Sequence, residues 1–374
     1  MPINTNIAKE LKLIDKFIKK DLIKEKTISG LYKYIFKSGG KKIRAKLSLI
    51  SSSNVKNDNR YKLASVIELL HTATLVHDDV VDNSSIRRGI KSVNNLWTNS
   101  HGVLIGDYIY SKAFILMVEI GDKKILSELA NATNDISQGE LIQLDAIRNL
   151  DMTLNKLKKI SYFKTGRLFE AAAKTGAMLS KSNQSYTKNI TECAKNLGIL
   201  FQIKDDLLDY SNNLNTGKPP FQDLKEGKVT YPFFFAYKNA SKKEKKRLED
   251  LLGNKKLNST MANSLIQKLN GLKKTNELAN KYHKNTIDYA KKINELTISK
   301  EMIKLADFAY DREKWCLVQK ILIIKRSSSL AQMEIFSQKM GMADCLQIKC
   351  WCLMKLLTLM IFQVILKKVL FRLS

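Results

Sequence analysis

Asp78, Asp79 and Asp82 close an apolar run in which Leu63, Val66, Ile67, Leu70, Ala73 and Val81 recur near the helical period. On a helix, residues four apart share a face, so Asp78 and Asp82 project together while Asp79 points about 100° away. Two neighbouring carboxylates with no local lysine repel each other and require a cation. Mg²⁺ suits them, because it takes oxygen ligands, keeps part of its water and also binds phosphate. The same i, i+1, i+4 spacing returns at Asp205, Asp206 and Asp209, again after an apolar run. One such cluster is adequately explained as a solvated helix end. Two of them in apolar context describe metal clamps on facing helices, suited to gripping a diphosphate from both sides. Asp79 and Asp206, turned away on each helix, are expected as partial or outer ligands.

Cationic groups flank these clusters. Arg87 and Arg88 follow the first one, with Gly89 next. Guanidinium forks match phosphate oxygens bidentately, although an arginine pair after a loop is commonly just solvated. Gly39-Gly40-Lys41-Lys42-Ile43-Arg44 opens a predicted helix, where backbone amides beside a lysine and an arginine make an anion site. Gly-Gly-Lys alone is a weak signal. His71 lies two turns before Asp78 on the same face, whereas His77 turns away from it. Lys164 and Thr165 interrupt an apolar helix just before Gly166, and a lysine so placed ordinarily snorkels to water.

The elements that must position these groups are helical. The chain of 374 residues has four prolines, none of them between residues 3 and 218, and only 16 glycines. A long proline-free stretch with apolar residues at the 3.6 period reads as stacked helices, so the body is predicted to be all-α. Helices are predicted near 5–25, 28–36, 42–53, 60–83, 101–119, 122–147, 153–177, 185–211, 229–238, 242–252, 260–270, 273–294 and 298–313. Loops are expected at 38–40, 83–95 and 212–227, the last a candidate flap over the second cluster. The net charge of +28 is spread as lysines, without the basic stripe and interleaved aromatics that a nucleic-acid groove needs. Four of the five cysteines lie beyond residue 315, and Cys193 reads as a buried thiol. No disulfide framework is visible, which fits the cytoplasm. The N-terminus mixes Glu10, Asp15 and Asp21 with lysines and does not read as a secretory signal.

These motifs together resemble the trans-type polyprenyl diphosphate synthases, the long-chain octaprenyl type in particular. The resemblance is carried by 39–44, His71 to Arg88, Gly106-Asp107, Lys164-Thr165-Gly166, Phe201 to Asp209, Asp223 and Glu226 to Thr230, and spans roughly residues 5 to 314. It implies one large helical bundle with a central active-site cavity, a homodimer and Mg²⁺ as cofactor. It implies condensation of isopentenyl diphosphate with an allylic diphosphate: ionisation of the allylic substrate, attack by the isopentenyl double bond, then loss of a proton. By resemblance, Asp78, Asp82, Asp205 and Asp209 hold the metal, Lys41, Arg44, His71 and Arg88 hold isopentenyl diphosphate, and Arg87, Lys164, Thr165 and Gln202 serve the allylic diphosphate. Lys218 and Lys228 resemble lysines near the leaving group. The sequence departs from the pattern at Ala45, where proline is usual, and at Phe221 and Gln222, which replace a glycine and a small residue before Asp223.

The small residues Ala73 and Thr74, five and four positions before Asp78, leave the expected path of the growing chain open towards the helix N-terminus. The next blocking positions are Leu70 and Ile67, about 12–17 Å along the helix. This predicts a medium to long product such as an octaprenyl chain for a quinone. A farnesyl- or geranylgeranyl-length product is the alternative. A terpene cyclase would lack the set at Lys41, Arg44 and His71, and a non-catalytic partner subunit would have lost aspartates.

Residues 315–374 carry two acids against nine Lys and Arg and fall outside the resemblance. They are expected to be an extension without function, dispensable for activity. The apolar run 356–366 is too short to span a membrane and suits at most a peripheral contact, as on product release.

Overall fold

In a computed structural model, residues 3–20, 24–37, 40–210 and 220–311 are described. Sixteen α-helices run through them: α1 (Ile3–Lys19), α2 (Lys26–Lys37), α3 (Ile43–Ser51), α4 (Asn59–Val81), α5 (Val93–Leu96), α6 (Asn99–Ile120), α7 (Lys123–Leu144), α8 (Leu154–Ser161), α9 (Arg167–Leu179), α10 (Gln184–Asp209), α11 (Gln222–Lys225), α12 (Tyr231–Asn239), α13 (Lys242–Leu251), α14 (Ser259–Lys268), α15 (Gly271–Lys291) and α16 (Leu296–Tyr310). Polar side chains cap many of them. Asp122 accepts from the amides of Lys124 and Ile125 at the start of α7, and Ser241 with Glu244 forms a capping box on α13.

Two helices form the centre of the bundle. Every residue of α4 from Leu63 to Leu70 is buried, and α10 is buried on most sides from Cys193 to Leu200. A helix that is apolar nearly all round must be enclosed by others. Accordingly α4 packs against α3 and α6, and α10 against α9 and α15. Cys193 has no exposed surface, and burial raises its thiol to about 12, so it is the inert core thiol its setting suggests. Both aspartate clusters sit at the C-terminal ends of these central helices. The helix dipole is negative there and disfavours carboxylates, so each cluster is in need of positive charge.

Three local features depart from the predicted elements. The predicted loop after Asp82 contains a hairpin, β1 (Ile86–Arg87) with β2 (Ile90–Lys91), in the register Arg87↔Ile90. Its two turn residues, Arg88 and Gly89, both have positive φ (52° and 79°), the pattern of a tight two-residue hairpin turn. The helix predicted over 153–177 is interrupted by a π-helical turn, Tyr162–Gly166, that joins α8 to α9. The helix predicted over 5–25 ends at Lys19. The extension 315–374, Gly39 and Lys218 lie outside the described residues.

Candidate active site

The last turn of α4 separates its aspartates as the helical spacing requires. Asp79 is buried and receives Arg87, whose Nε donates to Oδ1 at 2.8 Å and whose Nη2 reaches the same oxygen. Arg87 ends β1, ahead of the turn, and its side chain reaches back to the helix end. Burial opposes the charge of Arg87, and Asp79 outweighs it with Asp78 and Asp82, so its pKa rises. Asp82 accepts from Lys228 Nζ at 2.8 Å. Asp78 is raised to about 7 by burial, against Lys164 and reinforced by Glu140 and Asp82.

At the end of α10, Asp209 accepts from the backbone amides of Gln222 (2.9 Å) and Asp223 (3.2 Å). Burial, then Asp223, raises it to about 8. Asp206 is buried and held by Gln202 Nε2 at 2.9 Å and the Tyr231 amide at 3.3 Å. Gln202 Oε1 in turn accepts from the Thr165 hydroxyl at 2.7 Å. A chain Thr165–Gln202–Asp206 thus crosses from the π-turn to α10. Asp205, half-buried, lies one turn before Asp209. Asp79 and Asp206 are each held by a protein partner, Arg87 and Gln202 respectively.

Lys164 projects from the π-turn to Glu140 Oε2 (2.9 Å) and Gln143 Oε1 (2.8 Å). π-Turns often mark functional positions because they re-aim one residue of a helix. Burial lowers the pKa of Lys164, but Glu140 and Asp78 more than reverse this, so it stays charged. Glu140 and Gln143 were not singled out in the sequence, although an i, i+3 polar pair on an otherwise apolar helix face was the available signal.

Two turns earlier on the same face of α4, Arg44 Nη1 lies 2.9 Å from His71 Nε2 and its guanidinium covers the Phe169 ring. A guanidinium only donates, so Nε2 accepts and the His71 proton sits on Nδ1. Burial, then Arg44, Arg88 and Arg87, holds the His71 pKa well below its usual value, leaving the ring neutral. Arg88 stands against the Gly40 backbone, where a Cβ would lie 2.9 Å from Nη1, so a larger residue there would push the guanidinium aside. Glu68 lies buried one turn before His71, within the field of Lys42, Arg88 and Arg44. Its carboxylate also escaped the sequence reading, since a glutamate in a helix is unremarkable until its burial is known. Lys41 turns its ammonium over the Phe308 ring of α16, 4.5 Å from the centroid. The structure therefore gathers Gly40, Arg44, His71 and Arg88 into one group and Asp78, Asp82, Arg87, Lys164 and Lys228 into a second.

Phe221 takes the left-handed backbone conformation (φ 61°) that a glycine would adopt freely. It is fully buried, packs edge-on against Tyr210 at 5.2 Å, and its amide donates to Asp209 O at 2.7 Å. Burial of the ring offsets the backbone strain, so the segment carrying Gln222 and Asp223 keeps its place beside Asp209.

The donor set fits a divalent cation with oxygen ligands. Asp78 and Asp209 are desolvated carboxylates at the negative ends of two helices, and both have raised pKa values. Among the described residues no three His, Cys, Asp or Glu side chains converge into a closed metal cage. Each cluster can supply one or two ligands, leaving the remaining positions to water and phosphate oxygens, as is usual for Mg²⁺.

The sequence model of the polyprenyl synthetase family matches residues 25–269. This chain belongs to the polyprenyl synthetase family. It is an enzyme of that kind, a prenyl transferase. Members similar to it differ in product. An all-trans-nonaprenyl-diphosphate synthase (geranyl-diphosphate specific) of Rhodobacter capsulatus is 32% identical over 316 residues, 82% of this chain and 96% of that one. A geranylgeranyl diphosphate synthase of Saccharolobus solfataricus is 34% identical over 317 residues, covering 80% and 94%. Among solved structures, a polyprenyl synthase from Caulobacter crescentus complexed with calcium and isoprenyl diphosphate superposes with a TM-score of 0.77 at 30% identity, over 81% of this chain and 94% of that one. The all-α isoprenoid synthase fold follows from these matches and the helical bundle itself.

Proposed function

We propose that the enzyme condenses isopentenyl diphosphate with an allylic diphosphate in a Mg²⁺-dependent reaction and makes a medium to long all-trans polyprenyl diphosphate, of octaprenyl type, as a quinone side-chain precursor. The observation that carries this is the grouping of Asp78, Asp82, Arg87, Lys164 and Lys228 at one helix end, with Asp209 joined to it through the segment 221–228. Bound there, Mg²⁺ would act as a Lewis acid on the departing diphosphate and as a template for it. Arg87 and Lys164 are already oriented by Asp79, Glu140 and Gln143, so little reorganisation is needed to stabilise the leaving charge. Arg44, Arg88 and neutral His71 form the second anion site, for isopentenyl diphosphate. Lys41 belongs to it once its ammonium leaves the Phe308 ring.

The product-length reading rests on α4. Ala73 is fully buried and Thr74 half-buried, while Leu70 and Ile67 beyond them have no exposed surface and would end the path. A geranylgeranyl-length product is the second reading, favoured by the likeness to the S. solfataricus enzyme. Incubation with Mg²⁺, farnesyl diphosphate and labelled isopentenyl diphosphate, followed by separation by length, distinguishes them. A ladder ending in long chains supports the first reading and a C20 stop the second. No consumption of isopentenyl diphosphate would overturn both.

A homodimer is proposed on the apolar stripe of α6 and α7. Leu104, Ile115 and Val118 are 60–70% exposed, and Leu141 of α7 is 62% exposed. Residues 104 and 115 are three turns apart and 118 follows one turn on, so the α6 members form one face. A patch of this kind on a folded chain marks an interaction surface. Sedimentation at micromolar concentration should give twice the chain mass; a monomer would refute it. No helix among the described residues is long and apolar enough to cross a membrane. The buried free thiol Cys193 favours the cytoplasm, with any membrane contact peripheral and serving product release. Residues 1–314 are proposed as the catalytic domain and 315–374 as a dispensable extension.

A further inference from the structure

Arg148 lies in the connection between α7 and α8, in the left-handed region (φ 57°), and belongs to none of the motifs. Its backbone amide donates to Gly227 O at 2.8 Å. Its side chain then runs across the face of Gly227 and donates from Nη2 to Gly253 O, at 3.0 Å, in the connection after α13. Gly253 N in turn donates to Leu224 O at 2.8 Å. Three chain segments are therefore fastened at one point, and the middle one is the segment 221–228.

That segment touches both aspartate clusters. At its start the amides of Gln222 and Asp223 hold Asp209. At its end Lys228 holds Asp82, steadied by Glu226 at 2.8 Å. Inside it, Lys228 N donates to Asp223 O at 2.9 Å, so the two ends are hydrogen-bonded to each other. The outer side of the segment has Arg148 as its fastening. A Cβ on Gly253 would collide with the guanidinium, and one on Gly227 would lie 3.0 Å from Arg148 Cγ; both glycines have φ of +80°. The space is shaped around this one side chain.

We infer that Arg148 is a positioning residue for the diphosphate site, acting through the segment 221–228 to set Lys228 against Asp82 and the Gln222–Asp223 amides against Asp209. The inference rests on the proposed diphosphate site. Arg148 itself touches no reacting atom. Its contacts are at the surface, so its influence is that of one net hydrogen bond plus packing, about two- to tenfold.

The test is calorimetric binding of inorganic pyrophosphate in the presence of Mg²⁺ by the full-length protein, with thermal unfolding measured in parallel. Arg148→Ala should weaken pyrophosphate binding about two- to tenfold, with kcat falling alongside, at temperatures where the protein is fully folded. Gly253→Ala, which displaces the guanidinium from the opposite side, should do the same. Arg148→Lys retains a donor for Gly253 O and should recover part of the loss. Unchanged pyrophosphate affinity in Arg148→Ala, or a loss that only tracks the unfolded fraction, overturns the inference while leaving the diphosphate site intact. Wild-type protein that binds no pyrophosphate overturns the inference together with the site reading beneath it.

Discussion

Lys228 Nζ lies 2.8 Å from Asp82 Oδ1 although the two residues are 146 positions apart in the chain. Lys228 is buried, which opposes its charge, yet Asp223, Asp82 and Glu226 outweigh that and raise its pKa. This contact ties the first aspartate cluster to the segment that caps the second.

Removing that cation tests the arrangement. Lys228→Ala takes the lysine from the partly buried Asp82, and charge-assisted hydrogen bonds are worth about 1.5–3 kcal/mol. We therefore expect kcat to fall about 10- to 100-fold, in steady-state assays of isopentenyl diphosphate incorporation. A variant with wild-type kcat would show that Lys228 serves only the fold.

The pH dependence of stability follows from groups with shifted pKa values. Asp78 (about 7) and Asp209 (about 8) are raised by burial, so the folded chain binds more protons than the unfolded one up to about pH 8. Their contribution to stability is lost as pH rises through that range. His71, held neutral by burial and Arg44, works in the opposite direction and costs stability as pH falls below its unfolded value near 6.5. Above about pH 6.5 His71 no longer opposes them, so the Tm of the metal-free protein should fall from there to about pH 8. Mg²⁺ with pyrophosphate should restore Tm most at the alkaline end. A flat Tm from pH 6.5 to 8.5 in chelator would contradict the assignment.

Phe221→Gly separates strain from packing. Glycine would relieve the left-handed backbone, worth about 1 kcal/mol. The lost ring leaves a cavity, and buried Phe→Ala changes cost about 3–5 kcal/mol. The cavity wins by about 2–4 kcal/mol, so calorimetry should show a lower Tm. A higher Tm would mean that strain dominates at this turn.

Ala73→Phe should shorten the product by placing a ring across the expected path. Ala73 has no exposed surface, so overpacking costs about 1–3 kcal/mol as well. Thr74→Phe enters from a half-buried position and should shorten the product at a smaller cost in stability. Product length by reversed-phase chromatography decides, and unchanged chains in both variants would move the path off α4.

Much of this enzyme was legible in one dimension. The apolar period enclosing Leu63–Leu70 gave the central helix, and the i, i+4 rule put Asp78 with Asp82 and turned Asp79 and His77 away, because both are consequences of 3.6 residues per turn. The Arg88-Gly89 hairpin was missed although its turn chemistry was present, since two-residue strands leave almost no periodic signal. Tertiary structure alone decided the partners: Arg87 on Asp79, Lys228 on Asp82, Glu140 and Gln143 on Lys164, and Arg148 bridging Gly227 to Gly253. These contacts join residues far apart in the chain, and their strength depends on burial and on the helix that happens to face them. Local spacing carries neither quantity, and only the packed bundle supplies both.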